Sequence, residues 1–332
     1  MTAGGSLKHI LALDADGSLK AQEGLVKRLR EHVDLTRHQD ILRLYAARPG
    51  LKILRDTVVE LRKTYTEPWL TFFGSGDFHH FAAIFLETLP QEFRPVNVVL
   101  IDNHPDWYEM PLKHHCATWV ATALRLPFVE SVTMVGQDSE DLRGKEFWFA
   151  PFADFCRGRV RLYPYRKDKV TVPLKWAGTV SGASHSRATL TGTELEFDTV
   201  AGRGVRYIAR DICRRFGGKN VYLTIDKDAL STQYALTDWD QGQLSLTDLT
   251  YLIEEISRNC TLVGVDICGE RAPEPLRGPW KRWDAGRLFA KPQSQEDWDW
   301  ANAINQATNL TLLRALTKPV MEPSFALPTH SV

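Results

Sequence analysis

Aspartate and histidine alternate immediately after a strongly apolar stretch in the first third of the chain. Val98–Ile101 is apolar, and Asp102, His104 and Asp106 then occupy every second position. Alternate residues of an extended chain point to the same side, so these three side chains are expected to converge. Carboxylates held close together raise one another's pKa unless a cation neutralises them, and mixed carboxylate and imidazole ligands suit Mn, Fe, Co or Zn. The pattern favours a metal site, with a loop of capping and turn residues as the alternative.

A second apolar stretch ends in carboxylates about 120 residues later. There Val221–Ile225 leads into Asp226, Lys227 and Asp228. Taken alone, this pair is equally typical of a turn in which Lys227 neutralises the charge. Together with the first cluster, it indicates a site that holds two divalent cations.

A glycine-rich turn followed by two histidines supplies further imidazole groups. Gly74 and Gly76 follow an apolar run, and His79 and His80 directly precede a predicted helix over Phe81–Leu89. Glycine permits a tight turn and a close approach of the backbone to other groups. One of the two histidines is expected to reach a metal, and the sequence leaves open which one.

A further pair of aspartates has the same spacing but a different context. Asp14 and Asp16 follow the apolar run Leu11–Leu13 and precede Gly17. No histidine accompanies them in the sequence, and aspartate followed by glycine is typical of a turn. This pair is therefore interpreted as a turn and not as a metal site.

Apolar runs that alternate with helical patterns predict the elements that must position these clusters. The helices predicted from three- and four-residue apolar spacing are Leu51–Tyr65 and Leu246–Ile256, the second with an N-cap signal at Ser245. The alternation is typical of βα units in a mostly parallel sheet, where ligands collect beyond the carboxyl ends of the strands. The predicted strands are His9–Leu13, Trp69–Phe73, Val96–Ile101, Ser131–Val135, Val221–Ile225 and Thr261–Ile267.

Composition indicates a globular enzyme that binds neither nucleic acid nor membrane. The 332 residues include 41 basic and 41 acidic side chains, so no global field favours a polyanion. No apolar stretch approaches the roughly 20 residues of a spanning helix, and the first residues lack the pattern of a secretion signal. Five scattered cysteines form no C-x-x-C pair and are interpreted as reduced thiols. The expected location is the cytoplasm.

A single domain over residues 1–318 is predicted, with a weakly ordered tail at 319–332. A polar stretch at 139–204 is interpreted as an insertion with strands of its own, at Arg159–Tyr165 and Lys169–Leu174, and His185 is expected in a surface or lid loop within it. Late in the chain, four tryptophans are expected to pack in the core, or alternatively to line a peptide groove. They are Trp280, Trp283, Trp298 and Trp300.

The order of these motifs resembles the arginase, agmatinase and formiminoglutamase superfamily, over roughly Trp69 to Glu270. The turn with His79 and His80 is similar to that family's GGDH motif, and Asp102–Asp106 is similar to its DAHxD motif. Thr224–Leu230 is similar to its SxDxDxxDP motif. Gly242–Ser245 is similar to the stretch that opens its next helix, and Val263–Ile267 to a late strand. The resemblance implies a three-layer α/β fold with a mostly parallel central sheet and helices on both faces.

The resemblance also implies a ligand set for two divalent cations, with Mn²⁺ as the expected metal. One cation would be held by His79 or His80, Asp102, Asp106 and Asp226. The other would be held by Asp102, His104, Asp226 and Asp228. By the same resemblance, the cations would activate a water that attacks a guanidinium carbon and releases urea. Asp106 would orient the nucleophile, His115 would shuttle the proton and Glu270 would bind the guanidinium.

The chain departs from the family pattern in ways that bear on the substrate. The first motif has one residue too many, and the Asp-Pro expected after Asp228 is missing. Trp107–Lys113 lacks the Asn and Ser that read the α-carboxylate of free arginine in that family. Arginine within a peptide, converted to ornithine, is therefore a plausible substrate, although agmatine and other guanidino compounds also lack that carboxylate.

Two other functions stay open at this stage. The adjacent histidines His79 and His80 also resemble those of deacetylase-type amidohydrolases, which use a single zinc ion, although the acid-rich second motif speaks against that class. A non-catalytic metal-binding protein on the arginase scaffold is the other alternative. A homo-oligomer is left open by the sequence.

Overall fold

The computed structural model describes residues 7–109, 114–142, 146–172, 180–287 and 293–317. Each of the six strands predicted for the main sheet forms, with ends that shift by a few residues at most. The strands in chain order are β1 (His9–Asp14), β2 (Glu31–Asp34), β3 (Tyr45–Ala46), β4 (Trp69–Phe72), β5 (Val96–Ile101), β6 (His114–His115), β7 (Val129–Val135), β8 (Val160–Tyr163), β9 (Lys169–Val172), β10 (His185–Ala188), β11 (Thr193–Glu196), β12 (Asn220–Asp226) and β13 (Thr261–Cys268).

The helices alternate with the strands of the main sheet over much of the described chain. In chain order they are α1 (Glu23–Val26), α2 (Gln39–Leu42), α3 (Arg48–Thr64), α4 (Phe81–Glu87), α5 (Trp119–Leu124), α6 (Phe152–Cys156), α7 (Val200–Arg203), α8 (Val205–Phe216), α9 (Leu246–Asn259), α10 (Pro279–Asp284) and α11 (Gln295–Thr317). As predicted, α9 begins after Ser245, whose hydroxyl accepts a hydrogen bond from the backbone N–H of Asp248 at 3.0 Å. No helix in the described ranges is both long and apolar enough to span a bilayer.

Eight strands form one central sheet in the order β2-β1-β4-β13-β12-β5-β7-β8, and each neighbouring pair is parallel. Along β5, Val98 and Leu100 join a core cluster with residues of α3, α4 and α5. Val99 and Ile101 point the other way and join a second cluster with residues of α8, α9 and α11. The helices therefore cover both faces of the sheet, and the predicted three-layer α/β fold is confirmed.

The register of the sheet brings the ends of its central strands level with one another. Ile225 of β12 lies opposite Ile101 of β5, so Asp226 and Asp102 leave the sheet side by side. On the other side of β12, Asp226 lies opposite Cys268 of β13. The two carboxylate clusters therefore emerge at one place, on adjacent strands.

The polar stretch at 139–204 is only partly an insertion. Val160–Tyr163, predicted as a strand of the insertion, instead pairs with β7 as the eighth strand of the main sheet. The reason is its apolar alternation, which buries three of its four residues. Strands β9, β10 and β11 do form a small antiparallel sheet of their own, and His185 lies exposed on β10. The tail at 319–332 lies outside the described residues, as does 173–179.

Candidate metal centre

The site forms where the four central strands end. Asp102 follows β5, Asp226 ends β12, and the turn after β4 carries His79. Gly76 in that turn lies so close to the end of β12 that a Cβ there would be 2.6 Å from Asp226 Oδ2. Only a residue without a side chain allows the turn to approach the carboxylates so closely.

The first ligand group is built around His79. Its Nδ1 atom lies 3.1 Å from Asp102 Oδ2, 3.0 Å from Asp106 Oδ2 and 3.8 Å from Asp226 Oδ2. Among the described residues, neither His79 Nδ1 nor Asp102 Oδ2 has a partner in hydrogen-bond geometry, although both atoms are buried. Buried polar atoms are nearly always satisfied, so a cation bound between these atoms is the expected partner.

A chain of hydrogen bonds fixes the orientation of the His79 ring. The Thr224 hydroxyl donates to Asp266 Oδ1 at 2.6 Å and lies 3.0 Å from His79 Nε2. Because the hydroxyl proton is directed to Asp266, Thr224 accepts the Nε2 proton, and Nδ1 presents its lone pair to the carboxylates. The sequence analysis did not assign this role to Asp266, although an acid within the apolar run Val263–Ile267 is a signal that it has one.

The second ligand group is built around His104. Its Nδ1 atom lies 2.9 Å from Asp228 Oδ2 and 3.7 Å from Asp102 Oδ1, while Nε2 lies 2.9 Å from Asp240 Oδ1. A carboxylate on the second ring nitrogen is the usual support for a metal-binding histidine. Asp240 was missed in the sequence because it lies in a loop between motifs, with no spacing that marks it.

The two groups share Asp102, whose two oxygens face different histidines. Nitrogen and carboxylate oxygen donors of this kind suit borderline divalent metals, so the residues present fit two such cations. A third group joins His79 and Asp226 with Cys268. Burial, and then the charge of Asp226, raises the pKa of the Cys268 thiol well above its usual range, and Sγ donates to Asp226 Oδ2 at 3.2 Å.

Crowding of buried carboxylates changes their protonation. Burial, together with repulsion from Asp228, raises the pKa of Asp226 to about 7. Burial and repulsion from Asp102 likewise raise the pKa of Asp228 to about 7. The pKa of Asp102 is raised by burial and by Asp106. Anions forced together in this way are stabilised by a cation, as a metal site requires.

His115 lies beside the ligand groups on the wall of the same cavity. The cavity has a volume of about 190 Å³ and is also lined by Asp102, Asp106 and Asp226. His115 Nδ1 accepts a hydrogen bond from the Ala117 backbone N–H at 3.0 Å, so the neutral ring carries its proton on Nε2. That nitrogen is buried without a hydrogen-bond partner in the described structure. A group so placed can exchange a proton with a molecule in the cavity.

His80, one of the two candidate ligands from the first motif, lies outside both groups. Neither of its ring nitrogens has a hydrogen-bond partner among the described residues. Burial, and then the charges of His115 and His114, lower its pKa well below the usual range. The tight turn after Gly76 directs His79 toward the strand ends and the following ring away from them. The geometry therefore favours His79 over His80 as the ligand from the first motif, a choice that the sequence left open.

Glu270, predicted to bind the guanidinium, also points elsewhere. Its carboxylate accepts hydrogen bonds from Gln22 Nε2 at 2.8 Å and Asn309 Nδ2 at 2.7 Å and forms a buried ion pair with Lys227. The preceding Gly269 has φ +86°, and a Cβ there would lie 2.3 Å from Asp226 Oδ1. Position 269 thus has no room for a side chain, and the Glu270 carboxylate is held by protein donors; its role in guanidinium binding stays a prediction.

Known structures share this fold across nearly the whole chain. An arginase of Entamoeba histolytica in complex with L-ornithine is 14% identical, with a TM-score of 0.56 and coverage of 96% of this chain and 100% of that one. Formimidoylglutamase of Bacillus subtilis is 11% identical, with a TM-score of 0.57 and coverage of 96% and 89%. Agmatine ureohydrolase of Thermoplasma volcanium is 16% identical, with a TM-score of 0.55 and coverage of 96% and 92%.

Sequence comparison adds a relative but no function. A Thermotoga maritima protein described only as uncharacterized is 25% identical over 281 residues, covering 84% of this chain and 86% of the relative. No family model matches the chain. The superposition with those structural neighbours extends over nearly all of this chain, including its parallel eight-stranded sheet. The chain therefore has the fold of the arginase and agmatinase, or ureohydrolase, superfamily.

Proposed function

We propose that the protein is a dinuclear metal hydrolase that cleaves urea from a guanidino group. The observation that carries this proposal is the pair of ligand groups that share Asp102 beside a cavity with His115 on its wall. Two bound divalent cations, Mn²⁺ being the first to test, would lower the pKa of a water and supply a nucleophile at neutral pH.

The residues of the chain provide the remaining functions of such a site. Asp106, held by a hydrogen bond from Trp119 Nε1 to Oδ2 at 2.8 Å, stays oriented toward His79 and in this proposal directs the attacking water. Asp106 then passes the proton given up by that water to the leaving amine, and His115, which lines the cavity, shuttles protons between the cavity and its surroundings.

The test combines a metal count with a product assay. Elemental analysis of the purified protein after loading with Mn²⁺ is expected to give two ions per chain, together with urea release from a guanidino compound. One zinc ion and no urea would support the deacetylase-type alternative, which the position of His80 no longer favours. Two ions without urea from any guanidino compound would contradict the proposed reaction.

Arginine within a peptide, converted to ornithine, is the substrate that we propose within this class. Trp107 is fully buried and packs edge-on against Phe147 at a centroid distance of 5.0 Å. The described part of the 107–113 segment thus offers bulk and not the small polar groups that would read a free α-carboxylate; residues 110–113 lie outside the described structure. A site without those groups binds a carboxylate-bearing amino acid poorly.

The late tryptophans support a substrate larger than an amino acid. Trp280 is 78% exposed and Trp283 is 66% exposed, so the expectation that they pack in the core was wrong for these two, as it was for Trp300. Both lie on α10, whose last residue, Asp284, lines the cavity. Trp300 is also exposed, whereas Trp298 Nε1 donates to the Arg271 carbonyl. Exposed aromatic side chains beside a cavity suit contact with a neighbouring peptide segment.

Urea assays with Mn²⁺ on three compounds separate the substrates. We expect a higher kcat/KM for an arginine-containing peptide than for free L-arginine or agmatine, with mass spectrometry showing the loss of CH₂N₂ that converts arginine to ornithine. A kcat/KM for free arginine above that for each peptide tried would contradict the peptide proposal and leave the reaction class intact.

A further inference from the structure

A thiol lies beside the first ligand group, the one built around His79. Within the described part of the chain, Cys268 Sγ, His79 Nδ1 and a carboxylate oxygen of Asp226 all lie within 4.8 Å of one another. The second group, built around His104, consists there of carboxylates and an imidazole. The reaction proposed above uses no sulfur donor, so the position of this thiol calls for a role of its own.

The backbone fixes Cys268 between the end of β12 and the turn after β4. Cys268 is the last residue of β13 and lies opposite Asp226 in the sheet. The carbonyl just before it accepts a hydrogen bond from the Phe73 N–H at 3.2 Å, and the Glu270 N–H donates to the Gly74 carbonyl at 3.1 Å. These two bonds hold the end of β13 against the turn, so the pairing of the strands places the thiol beside the ligands.

The three donor atoms are spaced as ligands of one ion are. Cys268 Sγ lies 3.2 Å from Asp226 Oδ2, and that oxygen lies 3.8 Å from His79 Nδ1. Zinc bonds to sulfur, nitrogen and oxygen are about 2.0–2.3 Å long, so two ligands at a tetrahedral angle lie about 3.3–3.7 Å apart. A cation at the apex above these atoms, and not on the line between two of them, therefore contacts all three.

Unsatisfied buried atoms indicate an ion at the same place. The His79 side chain is 1% exposed, and its Nδ1 atom has no hydrogen-bond partner among the residues that the structure describes. Cys268 is fully buried beside it. The other thiol near the cavity differs, because Cys116 Sγ lies 3.5 Å from His115 Nδ1 and belongs to none of the ligand groups found in the described ranges. Cys268 therefore has a position that burial of a small side chain does not require.

We propose that Cys268 is a thiolate ligand of the cation in the first ligand group and makes this group selective for Zn²⁺ or Co²⁺ over Mn²⁺. The inference rests on the metal centre of the proposed function and names the class of metal that part of it takes. Sulfur and imidazole ligands suit these ions, whereas carboxylates and water suit Mn²⁺. The cation replaces the thiol proton, which is released to solvent. Mn²⁺ offered as the sole metal is still expected to occupy both groups.

Titration of the metal-free protein with Co²⁺ tests for the metal–sulfur bond. Charge transfer from a thiolate to Co²⁺ gives a strong near-ultraviolet band that oxygen and nitrogen ligands do not give. The band is expected in wild type and in the matched control Cys116→Ser, and it should be missing in Cys268→Ser, with bound Co²⁺ verified by elemental analysis. Cys268→Ala is the second variant, in case a buried hydroxyl at this position prevents folding.

Three results of this titration would overturn the proposal. They are wild-type protein that binds Co²⁺ without the band, wild-type protein that binds no Co²⁺, and a band that persists in Cys268→Ser or Cys268→Ala. The readout is independent of turnover. The band without urea release would contradict the proposed reaction and support this ligand, whereas urea release with two Co²⁺ bound and no band would do the reverse.

Competition between Zn²⁺ and Mn²⁺ distinguishes a ligand from a residue that only supports Asp226. Cys268→Ser is expected to lower the ratio of Zn²⁺ affinity to Mn²⁺ affinity by about 10-fold or more, since loss of even a supporting residue typically costs a metal site about 10- to 100-fold. A thiol that only donates a hydrogen bond to Asp226 would affect both metals alike. An unchanged ratio in Cys268→Ser would therefore overturn the proposal.

Discussion

Two regions of the sheet carry aspartates at the same spacing and satisfy them differently. At the end of β1, Asp14 accepts hydrogen bonds from the backbone N–H groups of Gly17 at 2.8 Å and Lys20 at 3.0 Å. Asp16 accepts from the backbone and hydroxyl of Ser18 and from the Ser75 N–H. At the ends of β5 and β12, carboxylates instead face imidazole nitrogens and one another, and some buried atoms have no hydrogen-bond partner.

The difference shows that the donors around a carboxylate pair, more than its spacing, distinguish a metal site from a turn. An imidazole also lies near the β1 pair, since His32 Nε2 is 3.3 Å from Asp14 Oδ2. The hydrogen bond to Asp14 is the main cause of the raised pKa of His32, so this ring adds a donor to carboxylates that already have several. At the metal centre, the histidines present ring nitrogens that require a cation or a proton as partner.

Substitution of one aspartate in each region by alanine is expected to give the largest difference in metal content. Asp102→Ala is expected to remove both cations and urea release, because Asp102 belongs to both ligand groups, and Asp226→Ala should behave in the same way. Asp16→Ala should keep two ions per chain, although it loses stability. Elemental analysis measures the ions, and melting curves with Mn²⁺ should show a stabilisation that is absent in Asp102→Ala. Full metal content in Asp102→Ala would show that the carboxylates at the ends of β5 and β12 are not needed for metal binding, as is expected for those at β1.

Glu270 is a third strand-end acid, and like Asp16 it is satisfied by protein donors. Glu270→Gln leaves Lys227, which is fully buried, without its counter-charge. Loss of one partner from a buried ion pair costs about 3–5 kcal/mol of unfolding free energy. Chemical denaturation should show this loss, while KM for the guanidino substrate stays within about twofold of wild type. A large rise in KM without loss of stability would support guanidinium binding by Glu270.

The sequence was sufficient to predict the fold and the general place of the site. Apolar runs such as Val98–Ile101 are buried on both faces of a parallel sheet, so their composition alone identifies them as strands. Because parallel strands end at one edge, the clusters after β5 and β12 could be expected to meet. The edge strand Val160–Tyr163 was assigned to the insertion because nothing in a short strand indicates its pairing partner.

The side-chain directions at strand ends could not be predicted in the same way. A one-residue difference in a turn reverses a side chain, which is why the sequence left open whether His79 or His80 reaches a metal. Contacts such as that of Arg287 with Asp77 also join residues far apart in the chain. Neither spacing nor periodicity carries that information.

Removing the candidate proton shuttle is expected to reduce activity less than removing a metal ligand. His115→Asn is expected to slow turnover by about 10²-fold, the usual contribution of a general acid–base group, and to leave the metal content unchanged. His114→Asn is the matched control, since the neighbouring ring does not line the described cavity. Full activity in His115→Asn with a loss in His114→Asn would mean that the assignment is wrong by one residue.

Loss of the carboxylate that supports a metal ligand is expected to weaken metal binding without abolishing it. Asp240→Asn removes the charged partner of His104 Nε2 and leaves the candidate metal ligands unchanged. Such changes typically weaken metal binding by about 10- to 100-fold. Competition with a chromogenic chelator measures the affinity, with Asp40→Asn as the surface control. Equal affinities in the two variants would show that Asp240 does not support the metal.

The stabilisation by Mn²⁺ should depend on pH through the carboxyls at the ends of β5 and β12 and not through Asp16 at the end of β1. In the metal-free protein, the pKa of Asp226 and of Asp228 is raised to about 7, from an ordinary value of 3.8. Folded chains then hold protons that unfolded chains release, so these carboxyls contribute stability below about pH 4 that is lost as the pH rises through about 7. Cation binding has the opposite dependence, because the cation must displace those protons. The rise in melting temperature caused by Mn²⁺ should therefore grow between pH 5.5 and 8 in wild type and in Asp16→Ala, and be absent throughout in Asp102→Ala. If the increase in melting temperature caused by Mn²⁺ were the same at each pH in this range, the carboxyls at the ends of β5 and β12 would already be ionised in the metal-free protein.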